Sequence, residues 1–217
     1  MNLSQIDFLA AAAAATAVMM CGITGIQTQF RFLALQTALF SGICLLEGFS
    51  SHGQHMAQFI ILAAVVLIVK AAGIPLFLMW AANKMSIIRD KGNTASPPVT
   101  LIMAFGAIAA GYFLIPQFAV YSAGNPVSAG MAVALLFIGM IFMVTRRLAI
   151  SQVTGFLIIE NGIFLYGLTQ AKGMPHLVEM AVVFEALIAV LIAGLVILRI
   201  NRNFEHIDVT QMRGLRH

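Results

Sequence analysis

The sequence predicts an all-α, polytopic membrane helical bundle of about seven transmembrane helices, with its N-terminus outside and its C-terminus cytoplasmic. Three observations carry that expectation. Hydrophobic residues make up 61% of the 217-residue chain and charged residues 9%, with mean hydropathy +0.97, too little polar surface to close around a water-soluble core. The apolar residues gather in continuous runs of about 20, long enough to cross a hydrocarbon core of about 30 Å as helices, whereas barrel strands alternate at period two. Lysine and arginine fall on alternate connections between those runs.

The spans read 5–26, 30–49, 57–83, 98–121, 127–145, 148–169 and 177–200. The first carries an AAAAA run but neither a basic n-region nor a cleavage context, so it reads as a retained helix. The second ends at Glu47, within reach of the headgroups, and His52 and His55 share the connection that follows. The third contains Lys70 in KAAGIPLF, where Pro75 removes a backbone hydrogen bond inside the helix. The segment IIRDKGNTASPP, residues 87–98, ends the third helix through Gly92, Ser96 and two prolines and divides three spans from four. The final stretch, RINRNFEHIDVTQMRGLRH, is polar and basic and is expected against cytoplasmic headgroups or a partner subunit.

Arg31, the group Lys84, Arg89 and Lys91, the pair Arg146 and Arg147, and Arg199, Arg202, Arg213 and Arg216 all fall on one side of this layout. Only Lys172 faces the other way, and by the positive-inside rule the shared side is cytoplasmic. That topology explains the computed pI near 9.4 better than nucleic acid does, because the basic residues form no single patch. Cys21 and Cys44 lie in separate apolar runs without a CxxC or histidine pattern and read as small buried hydrophobes. No redox cofactor is therefore expected in this chain.

Lys70, Glu160 and Glu185 lie deep inside apolar runs, where an ionisable side chain costs roughly 2.5–3.5 kcal/mol on insertion scales. At 1.5 Å per residue, Glu160 lies about 13 Å and Glu185 about 12 Å below the outer ends of consecutive antiparallel spans. Two desolvated carboxyls at matching depth titrate as a coupled pair and suit a proton relay; the alternative is hydrogen-bonded packing. Lys70, roughly 19 Å down its span, can exchange charge states with them or pair statically with one carboxylate. Glu179, only about 3 Å below the outer end, reads as a helix-start carboxylate or as a point of proton access. Nucleotide-binding, zinc-protease and nucleophile–base patterns are missing from the sequence.

The region 125–217 resembles subunit K of NADH-quinone oxidoreductase, the small membrane subunit of complex I. Two consecutive spans each hold a glutamate, in GFLIIENGIFL and VVFEALIAVLIAGLVI, and the tail reads HIDVTQMRGLR. Residues 1–124 form a four-helix membrane extension that subunit K lacks, and a long K-like chain of this size is similar to the hydrogenase-4 component E family. The stretch VKAAGIPLFLMWAANKM also resembles the lysine-and-proline helix of antiporter-like subunits.

The resemblance implies a non-catalytic membrane subunit of a group 4 nickel–iron hydrogenase complex of formate-hydrogenlyase type, in a bacterial or archaeal plasma membrane. It also implies that Glu160 and Glu185 correspond to proton-pathway carboxylates, although other members often carry aspartate at the second position. Nickel–iron and iron–sulfur centres would sit on partners, among them antiporter-like membrane subunits, a hydrogenase-type membrane anchor and peripheral subunits. A self-sufficient ion or small-molecule transporter and a purely structural scaffold are the competing classes.

Overall fold

Each apolar run between residues 5 and 170 forms a helix in the computed structural model, which describes residues 5–50, 56–84, 89–90, 94–118 and 126–170, together with Leu187 and Gly194. Helix α1 spans Gln5–Gly22 and α2 Ile26–Ser50. The third run is one rod in three parts: α3 (Met56–Val65), a π-helical stretch (Val66–Gly73) and α4 (Ile74–Lys84). Then come α5 (Pro97–Phe118), α6 (Pro126–Thr145) and α7 (Ala149–Gln170). Six of the resulting helical rods are long and apolar enough to cross a membrane. The seventh expected span, 177–200, lies outside the described residues, as do Glu179 and Glu185.

Two boundaries differ from the sequence reading for local reasons. Helix α1 stops at Gly22, four residues short of the expected end, and Ile23–Gly25 form the connection to α2. Helix α5 opens at Pro97, one residue before the expected start at 98, so both prolines of the loop's end lie in its first turn. A proline at the first helical position loses only an N–H that would be unsatisfied there, and its fixed φ suits the helix. Thr100 secures that first turn by donating to Pro97 O at 2.8 Å.

Packing between these helices rests on small residues, because in lipid apolar side chains gain little by leaving the tails for one another. Helix α1 buries Ala10, Ala13, Ala14 and Ala17, the i, i+3, i+4, i+7 face, and lies against α2, α5 and α6. Helices α6 and α7 meet at Gly139 and Gly155: a Cβ on Gly139 would lie 2.7 Å from Gly155 O and 2.8 Å from Ile159 N. Gly162 repeats the contact two turns on, where a Cβ would stand 2.8 Å from Ala132 O. In contrast, α5 turns Ile102, Phe105, Tyr112 and Phe113 outward.

One end of the bundle is sewn together by Arg146. Its Nη2 donates to Cys21 O at 3.0 Å and Ile23 O at 3.1 Å, and Nη1 stands 3.6 Å from Asp90 Oδ2. The guanidinium also lies 4.7 Å from the Phe142 ring centroid. The Asp90 amide donates to Thr24 O and the Thr94 amide to Thr145 O, so the α1–α2, α4–α5 and α6–α7 connections meet at one end. These are the connections on which the sequence reading placed its shared basic side. Arg146 itself is buried, and burial lowers its guanidinium from the ordinary value while the Asp90 carboxylate opposes that shift.

Candidate functional site

Pro75 shapes the centre of the third rod. Lacking an amide hydrogen, it cannot continue the i→i−4 ladder, and the turns before it widen. The Ile74 amide donates to Val69 O, five residues back, and π winding persists over Val66–Gly73. Gly73 suits the widened turn, since a Cβ there would approach Ile68 O to 3.3 Å. Ser41 of α2 donates to Ala63 O at 3.0 Å, just before the winding changes. Within this stretch Val69 is exposed while Lys70 points inward.

Lys70 Nζ reaches Glu160 Oε1 of α7 at 2.8 Å, and both side chains are nearly fully buried, at 4% and 3% exposure. From the helix ends at Met56 and Gln170, Lys70 lies about 21 Å deep and Glu160 about 15 Å. The long lysine stem spans that difference. Beneath the ammonium lies the Phe164 ring, one turn along α7 from Glu160, with its centroid 5.3 Å away. Phe164 is itself held edge-on by Phe40 of α2, centroid to centroid 6.3 Å. A desolvated cation over an aromatic face contributes about 2 kcal/mol or more to holding the two side chains together.

A seam of amides continues from the ion pair. Asn161, next to Glu160, donates from Nδ2 to Gln36 Oε1 at 2.9 Å, and Gln36 Nε2 donates to Ala13 O at 3.0 Å. Thr16 Oγ1 donates to the same carbonyl at 2.6 Å. Lys70, Glu160, Asn161 and Gln36 thus place polar groups on the third rod, α7 and α2, ending at the backbone of α1. Asn161 Oδ1 is buried and accepts no hydrogen bond among the described residues, leaving an acceptor beside the pair. The close approach at Gly155 and Gly162 brackets Glu160 and fixes the α7 side of this arrangement against α6.

The structure therefore brings together two of the four site residues singled out in the sequence, Lys70 and Glu160. Glu179 and Glu185 lie outside the described residues. Glu47 is half-buried near the end of α2, and Cys21 and Cys44 are buried on separate helices. Among the described residues no three His, Cys, Asp or Glu side chains gather into a metal-binding group. Gln36, Asn161 and Phe164 escaped the sequence reading. The two amides did leave a signal, since polar side chains inside membrane spans are rare and mark internal pathways.

The chain is similar to an uncharacterised protein of Mycobacterium tuberculosis, 27% identical over 216 residues that cover 97% of this chain and 96% of that protein. It is also similar to hydrogenase-4 component E of Escherichia coli and of Shigella flexneri. Each of those is 24% identical over 160 residues, covering 73% of this chain and 74% of theirs. No family model matches, and no solved structure matches.

Proposed function

We propose that this chain is a membrane subunit of a group 4 nickel–iron hydrogenase complex related to complex I, and that it helps move protons in response to redox chemistry on partner subunits. The observation that carries the reading is the Lys70–Glu160 ion pair at mid-depth in a helix opened by π winding. Intramembrane charge of this kind is expensive and most often marks an ion pathway. The likeness to hydrogenase-4 component E supplies the class of complex. In this reading residues 1–124 supply Lys70 and the amide Gln36, and the subunit K-like region 125–217 supplies Glu160 and Glu185.

Glu160 is the proton-carrying group. A proton arriving on its carboxylate neutralises it and ends the charge attraction to Lys70; departure of that proton restores the pair. Asn161 and Gln36 orient water beside it, Glu185 is the neighbouring carboxylate and Glu179 a point of access from the outer side. The redox centres, nickel–iron and iron–sulfur, belong to peripheral partners, with antiporter-like subunits and a membrane anchor completing the assembly. The setting is a bacterial or archaeal plasma membrane.

The test is redox-driven proton translocation in vesicles containing the assembled complex. Glu160→Gln keeps the shape and most hydrogen bonding but removes the titratable proton, so pumping should fall while the complex stays assembled and redox-active. Wild-type pumping in an assembled Glu160→Gln, Glu185→Gln double variant would leave only a scaffold role.

A further inference from the structure

The end of the bundle at which the basic connections meet carries a second arrangement, unrelated to the ion pair. On α4, Leu76, Trp80 and Lys84 follow at i, i+4 and i+8 and are all exposed, so one outward stripe runs from aliphatic through aromatic to cationic toward the helix end. On α2, which packs against α4, the exposed residues Leu35, Arg31 and Gln27 run from aliphatic through cationic to amide toward the same end. The two helices are joined beside these tips, where Gln27 Nε2 donates to Oδ1 of Asn83, the neighbour of Lys84, at 3.0 Å. Lys84 Nζ sits 5.2 Å from the Trp80 ring centroid, and Phe77 stacks on Trp80 at 5.8 Å. The backbone pairing of Arg89 with Gly25 brings a third exposed cation to this corner.

That ordering is the depth profile of a lipid leaflet: acyl chains against leucine, the interface against tryptophan, and headgroups against lysine and arginine. We propose that the paired α2 and α4 stripes bind an anionic phospholipid, with its phosphate between Arg31 and Lys84 and its acyl chains along Leu35, Trp80 and Leu76. Arginine offers a fork of donors to phosphate oxygens and lysine a compact charge, while Trp80 fixes the depth at which both meet the headgroup. The site needs the chain to be in a bilayer but does not depend on the hydrogenase reading or on which leaflet this end occupies.

Trp80 is the chain's single tryptophan, so its fluorescence reads the site directly. Full-length protein is reconstituted into phosphatidylcholine vesicles containing graded brominated phosphatidylglycerol, and the quenching curve gives the affinity of the annular position for anionic over zwitterionic lipid. Brominated phosphatidylglycerol should be favoured in the wild type. Arg31→Gln and Lys84→Gln should each lower that preference by up to about fivefold. Arg147→Gln, which removes the same charge from the exposed α6–α7 connection, should leave it unchanged. Both tested cations are exposed, and circular dichroism checks that the variants keep their helices. Equal quenching by the two lipids in the wild type, or a preference that survives the Arg31→Gln, Lys84→Gln double change, would overturn the proposal. So would displacement by millimolar inorganic phosphate, which would assign the corner to the free anion. Loss of partner subunits from the double variant without any lipid preference in the wild type would assign it to a protein.

Discussion

Removing the lysine and the glutamate of the buried pair singly and together separates the value of the interaction from the cost of each charge. At 2.8 Å two unit charges attract by about 6 kcal/mol with an effective dielectric constant of 20. Taking both ions out of water costs several kcal/mol each, so the intact pair comes close to breaking even. Losing one member is a different matter, because the other remains buried and uncompensated. Lys70→Met and Glu160→Gln should therefore each destabilise the folded chain by about 3–5 kcal/mol, whereas the double variant should recover most of that loss. The assay is reversible unfolding of purified protein in mixed micelles, followed by circular dichroism, with the coupling taken from the four-member cycle. A coupling above about 2 kcal/mol is expected, and single effects that add to within about 0.5 kcal/mol would refute the pairing.

Helix contact through glycine predicts opposite outcomes for one substitution at different sites. Gly139→Ala and Gly155→Ala should each cost roughly 1–3 kcal/mol in the same unfolding assay, because their methyls would press on the backbone of the facing helix. Gly106→Ala and Gly167→Ala, where nothing lies within 4 Å of an added Cβ, should instead stabilise by about 0.5–1 kcal/mol. Arg146→Lys keeps the charge but not the fork that reaches two carbonyls, and should cost about 1.5–3 kcal/mol, against less than about 0.5 for Arg147→Lys. For orientation, single cysteines at Lys91 and Arg213 in a Cys21→Ala, Cys44→Ala background should react with a membrane-impermeant maleimide only from the cytoplasmic face. Labelling of Arg213→Cys from outside would reverse the proposed topology.

Most of the helical architecture was legible because a bilayer leaves the backbone few options. Apolar runs of spanning length must satisfy their own hydrogen bonds, and helices do so within the segment. Hydropathy reports the solvent and not the geometry, however, so it misplaced ends where apolar residues continue beyond the helix. Ile23 is hydrophobic yet lies in a connection, its carbonyl taken by Arg146. Arg146 itself counted in the sequence only as a mark of sidedness. That it is buried and joins three connections depends on contacts with Cys21, Ile23 and Asp90, which lie far from it in the chain.

Lys70 and Glu160 were legible one at a time, as charges too costly to be incidental, but their contact was not. Counting residues places them about 6 Å apart in depth and says nothing about azimuth. Azimuth is what the π stretch changes: each residue of an α-helix turns the face by about 100°, so a widened turn reorients everything on one side of it relative to the other. Pro75 announced a disturbance in the sequence without specifying its form, and a kink, a cavity or a widened turn would aim Lys70 differently. Its partner's position is governed elsewhere, by Gly155 and Gly162 drawing α7 onto α6. The ion pair thus depends on two separate backbone features on two helices, one that rotates the lysine inward and one that brings the carboxylate within reach of it.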